Sequence, residues 1–339
     1  MRVSLWARVI FAAIMLCGFA TGVATADTEP AAACRSFPFA VPQGELSATL
    51  CTPTGGAQTV MVLMSGSNFN GSYWDFSYQP ETYNFRRAMN AAGYATLVVD
   101  RLGNGNSTHP PSTSLSATAT AQHLHDLVQA AKHGIDGAAP FDKVVTVGHS
   151  LTSGTSIMEA TQYHDVDGLL LTGYSHAVNI PETLSVIATY HPAVDEPAFS
   201  GRGLDPGYLV SKPGTRMHDF YDPGNVDPEV LALDEKQKEV FSLTEYPDGM
   251  MSTLPGMSNF LTAPVMIAVG SRDRMLCGID YAACANSATL HAEEAPFFAP
   301  EAKLRTFVLP GSGHAVNLAR NTADYQAEVV DWMDTTIGK

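Results

Sequence analysis

Short runs of consecutive apolar residues recur along the chain, separated by longer stretches with helical periodicity. The apolar runs occupy residues 59–64, 95–100, 143–147, 168–172, 265–269 and 304–309. Runs that are apolar on both faces are typical of strands in a parallel sheet covered by helices on both sides. Helix-like stretches lie between or after them, at residues 80–92, 117–133, 151–163 and 315–333. This alternation predicts an α/β fold with right-handed crossovers.

The segment before the first buried run has the pattern of a hairpin. Residues 34–41 and 45–52 read as two strands around the turn Pro42-Gln43-Gly44. Adding these two strands to the six apolar runs predicts a mostly parallel eight-stranded sheet with helices on both faces.

The rhythm of strands and helices is interrupted once. Residues 179–262 contain helix-like pieces at 182–190 and 228–241 between Pro/Gly turns, with no convincing strand. A structureless loop of this length is improbable in a compact domain. We therefore expect an inserted helical lid, with residues 27–178 and 263–339 forming the core. Apolar lid residues could roof a pocket or form the lid's own core: Met217, Phe220, Tyr221, Met250, Met251, Met257 and Phe260.

The first 26 residues read as a targeting segment. Arg2 and Arg8 are followed by apolar residues 9–20 and by the small-x-small pattern Ala24-Thr25-Ala26. This predicts a signal peptide cleaved after Ala26, with a retained N-terminal anchor as the alternative. The mature chain would then be secreted, into the extracellular space or a periplasm, without a stable membrane anchor.

Four cysteines follow residue 26, an even number that suits an oxidising compartment. The hairpin places Cys34 opposite Cys51, and proximity along the chain favours pairing Cys277 with Cys284. Three connectivities are possible, and free thiols are the alternative to all of them.

Composition excludes several classes of protein. With 45% hydrophobic and 16% charged residues, the chain is neither disordered nor a multi-span membrane protein. A formal charge of −15 argues against nucleic acids as partners. Nothing in the composition predicts the oligomeric state.

Ser150 is the candidate nucleophile. It follows the predicted strand that ends in Gly148-His149, and a helix with small residues begins directly after it. Such a turn projects the hydroxyl outward while the helix N-terminus directs N–H groups at developing negative charge. A rival, Ser175, also follows an apolar run, but Pro181 interrupts any helix that begins there.

A serine hydroxyl needs a base, and the base needs an orienting carboxylate. His314 lies in a glycine-rich loop after the last predicted strand, and Asp273 follows the strand before it. Asp280 is the reserve acid. The chain order Ser, Asp, His, each at the carboxyl end of a strand, is a stronger signal than any one of the three residues.

The loop after the third predicted strand suits an oxyanion hole. We assign one donor to the N–H of Ser67 and the other to the N–H of Leu151. Possible pocket residues, with ordinary packing as the alternative, are Asn68, Tyr73, Trp74, His149, Ser175 and His176.

Two motifs partly match cofactor-binding patterns, one for a dinucleotide and one for a metal ion. Gly103-Asn104-Gly105 lacks the third glycine of a dinucleotide loop. His123 and His125 are spaced like metal ligands, yet residues two apart on a helix diverge, and no second His or Cys cluster completes a site. The sequence therefore predicts no cofactor and no catalytic metal.

Together these residues resemble the α/β-hydrolase superfamily, and more narrowly its secreted serine esterase/lipase-like members. The resemblance covers roughly residues 35–337 and rests on three segments and two single residues: 148–150 as the nucleophile elbow, 65–67 as the oxyanion loop, 100–107 after the fourth strand, and Asp273 and His314. Ser65 stands where such enzymes usually have His, and Thr152 replaces the second elbow glycine.

The sequence thus favours a secreted serine hydrolase that acts on a small carboxylic ester through an acyl-serine intermediate. The alternatives are an amide, peptide or lactone hydrolase with the same triad, and a non-catalytic binding protein on this scaffold.

Overall fold

The computed structural model describes Met1 and residues 32–339. The predicted signal peptide lies almost entirely outside these described residues. Within residues 32–339, none of the helices combines the length and the hydrophobicity needed to cross a bilayer.

Eleven strands are formed by the described residues, in two sheets. They are β1 (Ala33–Val41), β2 (Gly44–Thr52), β3 (Thr59–Met64), β4 (Ala95–Val99), β5 (Lys143–His149), β6 (Gly168–Thr172), β7 (Tyr190–Pro192), β8 (Tyr208–Ser211), β9 (Phe241–Ser242), β10 (Val265–Gly270) and β11 (Arg305–Leu309). The larger sheet has eight strands in the order β1-β2-β4-β3-β5-β6-β10-β11. Its β1–β2 and β2–β4 pairs are antiparallel and the other pairs are parallel. This is the predicted α/β-hydrolase fold.

The α-helices are α1 (Pro80–Tyr83), α2 (Phe85–Ala91), α3 (Ala117–His133), α4 (Leu151–Tyr163), α5 (Ile180–Ile187), α6 (Arg216–Phe220), α7 (Pro228–Gln237), α8 (Tyr246–Gly249), α9 (Ser287–Glu294) and α10 (Thr322–Trp332). Two predicted helices differ. The helix expected over 80–92 breaks at Asn84, whose side chain caps α2. The helix expected over 315–333 begins only at Thr322, because a short 3-10 turn at Val316–Leu318 comes first.

Every residue of β3, β4, β6 and β10 is buried, as strands apolar on both faces require. Alternate residues enter two separate cores. On β3, Val60 and Val62 pack with residues of α3, α4 and α9, whereas Met61 and Leu63 pack with residues of α2 and α10. The sheet is thus covered on both faces, and its carboxyl edge is left for the loops.

Both predicted disulfides are present, Cys34–Cys51 and Cys277–Cys284. In the hairpin register Cys34 lies directly opposite Cys51, as the turn position implied. The second disulfide closes the loop that follows β10.

Residues 179–262, here called the cap segment, lie between β6 and β10. The expectation of a lid without strands was wrong. Strands β7, β8 and β9 form a small antiparallel sheet beside the helices of the segment. These strands are two to four residues long, too short to produce a readable alternation.

Candidate active site

Ser150 occupies a strained turn between β5 and α4. Its backbone has φ of 57° and ψ of −122°, a combination that residues other than glycine rarely adopt. Two backbone hydrogen bonds hold it there, from the Ser150 N–H to Thr172 O at 2.8 Å and from the Ser153 N–H to Ser150 O at 2.9 Å. Strain of this kind costs about 1–3 kcal/mol and persists where the surroundings over-determine the conformation.

The two positions beside the turn explain how the elbow is built. A Cβ on Gly148 would lie 2.4 Å from the backbone N of Ser153, so the tight approach requires glycine there. Thr152 stands in place of a second glycine, and its hydroxyl forms hydrogen bonds with two backbone groups. The hydroxyl donates to Met64 O at 2.7 Å and accepts from the His149 N–H at 2.9 Å. This departure from the family pattern therefore ties the elbow to the end of β3.

His314 follows β11 and is anchored by Asp273. Its Nδ1 lies 2.7 Å from Asp273 Oδ2, and both side chains are almost wholly buried. The other carboxylate oxygen accepts the N–H groups of Met275 at 3.0 Å and Leu276 at 3.3 Å. Asp273 is thus held on both oxygens, whereas the reserve acid Asp280 is exposed on the next 3-10 turn.

The imidazole of His314 rests on the end of β6. Gly173 has φ of +52°, and a Cβ there would come within 3.0 Å of His314 Cε1. The neighbouring ring of His149 is buried, 4.9 Å from that of His314 between centroids. Burial, with a smaller effect from the charge of His314, holds the pKa of His149 well below its usual range. His149 therefore stays neutral beside His314.

The two residues predicted to supply oxyanion amides, Ser67 and Leu151, line the cavity that contains Ser150. Leu151 is the first residue of α4, so its N–H has no acceptor within the helix. Ser67 follows β3, and both residues line the same cavity as Ser150 and His314. A helix N-terminus with free amides is a favourable place for developing negative charge.

Arg101 supports the loop that carries Ser67. Its Nη1 donates to the carbonyls of Ser65 at 3.4 Å and Gly66 at 3.2 Å. Its Nε pairs with Glu245 of the cap segment at 2.9 Å, and the two side chains are 1% and 2% exposed. Arg101 thereby links the end of β4, the loop after β3 and the cap segment.

A second buried arginine makes a similar link from the cap side. Arg216 forms a two-pronged ion pair with Asp234 and donates to Asn68 O at 3.1 Å. The side chain of Asn68 accepts the N–H of Ser211 on β8 at 2.7 Å. The loop after β3 is therefore held by two arginines that lie far from it in sequence.

The cavity beside Ser150 has a volume of about 80 Å³. Ser67, Ser150, Leu151 and His314 contribute from the core, while the cap segment supplies much of the wall. Its apolar lining includes Val178, Val186, Ile187, Phe220, Met250, Met275 and Leu276. Tyr190 and Tyr246 add hydroxyls, and burial raises the pKa of both phenols, so both stay protonated at neutral pH.

The six residues predicted as possible pocket residues do not line this cavity, which corrects that expectation. Tyr73 stacks on His149 at 4.3 Å and packs edge-on against Trp74 at 4.9 Å, beneath the site. All three are fully or almost fully buried. Asn68 uses its side chain to hold the cap. The side chains of Tyr73, Trp74 and His149 thus point into the core rather than into the cleft.

Ser175 and His176 belong to a separate buried cluster. The Ser175 hydroxyl donates to Leu276 O. His176 Nδ1 lies 2.6 Å from Glu294 Oε2, and its Nε2 lies 3.1 Å from the Ser258 hydroxyl. The carboxylate, imidazole and hydroxyl are linked in the same order as in a catalytic triad. Ser258, however, is 1% exposed and does not line the cavity. The cluster ties the cap segment to α9.

The apolar cap residues divide between several roles. Phe220 and Met250 line the cavity. Met251 and Phe260 are exposed, and the others pack against the cores: Met217, Tyr221 and Met257.

Sequence analysis missed Arg101, Arg216 and Glu245, together with most of the cap wall. A signal existed for Arg101, because an arginine directly after a fully apolar strand in a chain with few charges requires a buried partner. No local pattern identifies that partner.

Comparisons with known proteins agree with this geometry. A family model described as "Alpha/beta hydrolase family" matches residues 61–332. No match was found among curated proteins.

Among solved structures, the alpha/beta hydrolase GrgF from Penicillium sp. sh18 is similar, with a TM-score of 0.59 and 14% identity over 91% of this chain and 100% of that one. The carboxylesterase CesB (YbfK) from Bacillus subtilis has a TM-score of 0.57 and 13% identity over 89% and 92%. A serine hydrolase involved in carbazole degradation (CarC) has a TM-score of 0.53 and 12% identity over 89% and 99%. At these identities the structural matches show the fold alone. On the extent of the family match, the chain belongs to the alpha/beta hydrolase family.

Proposed function

We propose that this protein is an exported serine hydrolase that cleaves carboxylic esters. One observation carries the proposal. His314 has its Nδ1 bound to a buried carboxylate, while its Nε2 has no hydrogen-bond partner among the described residues and its ring lines the same cavity as Ser150. A buried polar atom without a partner is costly unless a substrate or a reacting group uses it. An imidazole held in this way is suited to accept a proton from the serine.

The reaction would follow from these positions. Ser150 Oγ attacks the ester carbonyl carbon while His314 Nε2 takes the hydroxyl proton. The resulting oxyanion accepts hydrogen bonds from the N–H groups of Ser67 and Leu151. The tetrahedral intermediate collapses, the C–O bond to the alcohol breaks, and His314 returns the proton to the leaving oxygen. Water then repeats the sequence on acyl-Ser150 and releases the acid. Asp273 keeps the imidazole oriented, and no step requires a cofactor.

The cavity favours a short acyl chain. Its volume of about 80 Å³ is smaller than the roughly 150 Å³ apolar cavity that holds benzene. Apolar residues make up much of the wall, so the acyl group would bind by burial rather than by hydrogen bonds. We expect kcat/KM for nitrophenyl esters to be highest for acetate or butyrate and to fall for octanoate. A rise with chain length would contradict this assignment.

The central test is labelling with a fluorophosphonate, followed by mapping of the modified residue. We expect one adduct, on Ser150, and loss of both labelling and ester turnover in Ser150→Ala. Ser175→Ala is the matched control, because that hydroxyl is bound to Leu276 O and lies outside the cavity, so labelling should persist. Unchanged turnover in Ser150→Ala would refute the proposal.

Specificity for the ester bond needs a separate comparison, because amides and lactones would use the same groups. Among the similar structures is a carboxylesterase, which supports esters as the first class to test. We expect nitrophenyl butyrate to be cleaved faster than the matching anilide and than a butyrolactone. Faster cleavage of the anilide or the lactone would reassign the substrate class.

Export is supported by two observations, the pattern of residues 1–26 and the two disulfides. When the full chain is expressed in a bacterium with a secretion pathway, we expect the mature protein to begin at Asp27. Recovery of the uncleaved chain in the cytoplasm would contradict the proposed export.

A further inference from the structure

Three potential metal ligands lie close together where α3 meets the C-terminal end of α4. His125 comes from α3, Glu159 from α4, and Asp165 from the turn after α4. His125 Nδ1 lies 2.9 Å from Asp165 Oδ2 and 3.8 Å from Glu159 Oε1. One ligand atom from each residue lies within 4.8 Å of the other two.

Glu159 distinguishes this cluster from an ordinary acidic surface. Its side chain is 0% exposed, it points at His125 and Asp165, and no donor among the described residues hydrogen-bonds to either carboxylate oxygen. The nearby Lys132 pairs with Asp167 instead, at 3.5 Å. A buried carboxylate in this position must be neutralised by a proton or by a cation.

The protonated state is one way to meet this requirement. Burial, followed by a hydrogen bond with the Asp165 carboxylate and by the charge of that carboxylate, raises the pKa of Glu159 to about 9. A metal ion would meet the same requirement while also using the imidazole and the second carboxylate.

The spacing of the ligand atoms suits a small transition-metal ion. Ligands about 2.0 Å from a tetrahedral Zn²⁺ lie about 3.3 Å from one another, between the two separations observed here. One imidazole and two carboxylates suit Zn²⁺ and its neighbours better than Ca²⁺ or Mg²⁺, which prefer oxygen ligands alone. The side chains of His125 and Asp165 are 21% and 16% exposed, so an ion can enter from solvent and keep a water as the fourth ligand.

Neighbouring residues orient the ligands. The ring of Tyr163 stacks on His125 with centroids 3.7 Å apart, and the amide of Gln129 donates to Asp165 Oδ2. Partners of this kind fix the orientation of metal-binding side chains. His123 is the other histidine of the His-x-His motif, and it is buried elsewhere on α3. The two ligands that accompany His125 therefore come from α4 and the turn after it.

We propose that His125, Glu159 and Asp165 bind a divalent transition metal ion, with Zn²⁺ as the best fit. The ion would join α3 to the C-terminal end of α4. Glu159 is nine residues from Ser150, about 13 Å along the helix, so the role is structural rather than catalytic. The ion would stabilise the helix whose first turn carries the candidate nucleophile.

The test uses mature protein stripped of metal with a chelator and then titrated with ZnCl₂. We expect one equivalent to bind by calorimetry and the melting temperature to rise by about 5 °C at saturation. CoCl₂ should give the visible absorption of a four-coordinate site, whereas MgCl₂ and CaCl₂ at the same concentration should not shift the melting temperature.

Two matched variants assign the ligands. Glu159→Gln removes a ligand but keeps the shape of a neutral carboxyl, so it should fold and lose the zinc-dependent shift. Asp126→Asn changes an acid next to His125 that instead accepts from Gln122, so it should keep the shift. If Glu159→Gln fails to fold, the more exposed Asp165→Asn replaces it. Absence of zinc binding by the parent, or equal binding by the ligand variant, overturns the proposal.

Discussion

Replacing Arg101 by methionine tests whether a buried ion pair holds the candidate oxyanion loop, residues 65–67. The change keeps an unbranched apolar side chain but removes the guanidinium. Glu245, 2% exposed, then loses its cationic partner, and the carbonyls of Ser65 and Gly66 lose their donor. Removing one member of a buried pair costs about 3–5 kcal/mol, chiefly because the other charge is left buried and unpaired.

The assay has two parts. With an m-value of about 3 kcal/mol/M, the urea midpoint of Arg101→Met should fall by about 1–2 M. Because the Ser67 amide would lose its support, kcat for a nitrophenyl ester should fall more than KM rises, up to the ~10²–10³-fold cost of losing one oxyanion donor.

The same substitution elsewhere provides the control. Arg35 pairs with Asp136 at the surface, with side chains 45% and 38% exposed, so Arg35→Met should change the free energy of unfolding by less than about 1 kcal/mol. The double variant Arg101→Met/Glu245→Met should recover part of the stability but not kcat. The stranded charge is gone, but the loop still lacks its donor and the Ser242 N–H loses the acceptor that Glu245 provides. An Arg101→Met protein with parental stability would refute the energetic argument. An Arg101→Met protein with reduced stability but parental kcat would refute the proposal that Arg101 positions the Ser67 amide.

Two further predictions concern single side chains. Thr152→Val leaves the Met64 carbonyl and the His149 N–H unpaired, so the free energy of unfolding in urea should fall by about 2–4 kcal/mol. Thr152→Ser keeps the hydroxyl and should retain most of the parental stability. Equal stability of all three proteins would show that these two hydrogen bonds do not stabilise the fold. Burial, with a smaller effect from Arg202, lowers the pKa of His109 from 6.5 to about 4. Between pH 6.5 and 4, His109 is therefore protonated in the unfolded chain but not in the folded chain. The free energy of unfolding should therefore fall as the pH drops from 6.5 toward 4, and His109→Gln should flatten that slope; parallel curves for the two proteins would contradict the assignment.

The sequence by itself determined the sheet, the hairpin disulfide and the order of the candidate triad. Strands apolar on both faces and the turns after them are local patterns, and the carboxyl ends of neighbouring parallel strands meet at one edge. Ser150, Asp273 and His314 could therefore be predicted as the candidate triad from the positions where β5, β10 and β11 end.

Only the tertiary structure decided what surrounds those residues. Which way Tyr73 and Trp74 point, which charge Arg101 meets and which cap residues form the cavity depend on contacts between segments more than a hundred residues apart. The same holds for Glu159, which reads as one polar residue on an amphipathic helix until α3 packs against it. Local periodicity reflects the path of the backbone, whereas side-chain partners across the fold are selected by packing and by the cost of leaving buried charges unpaired.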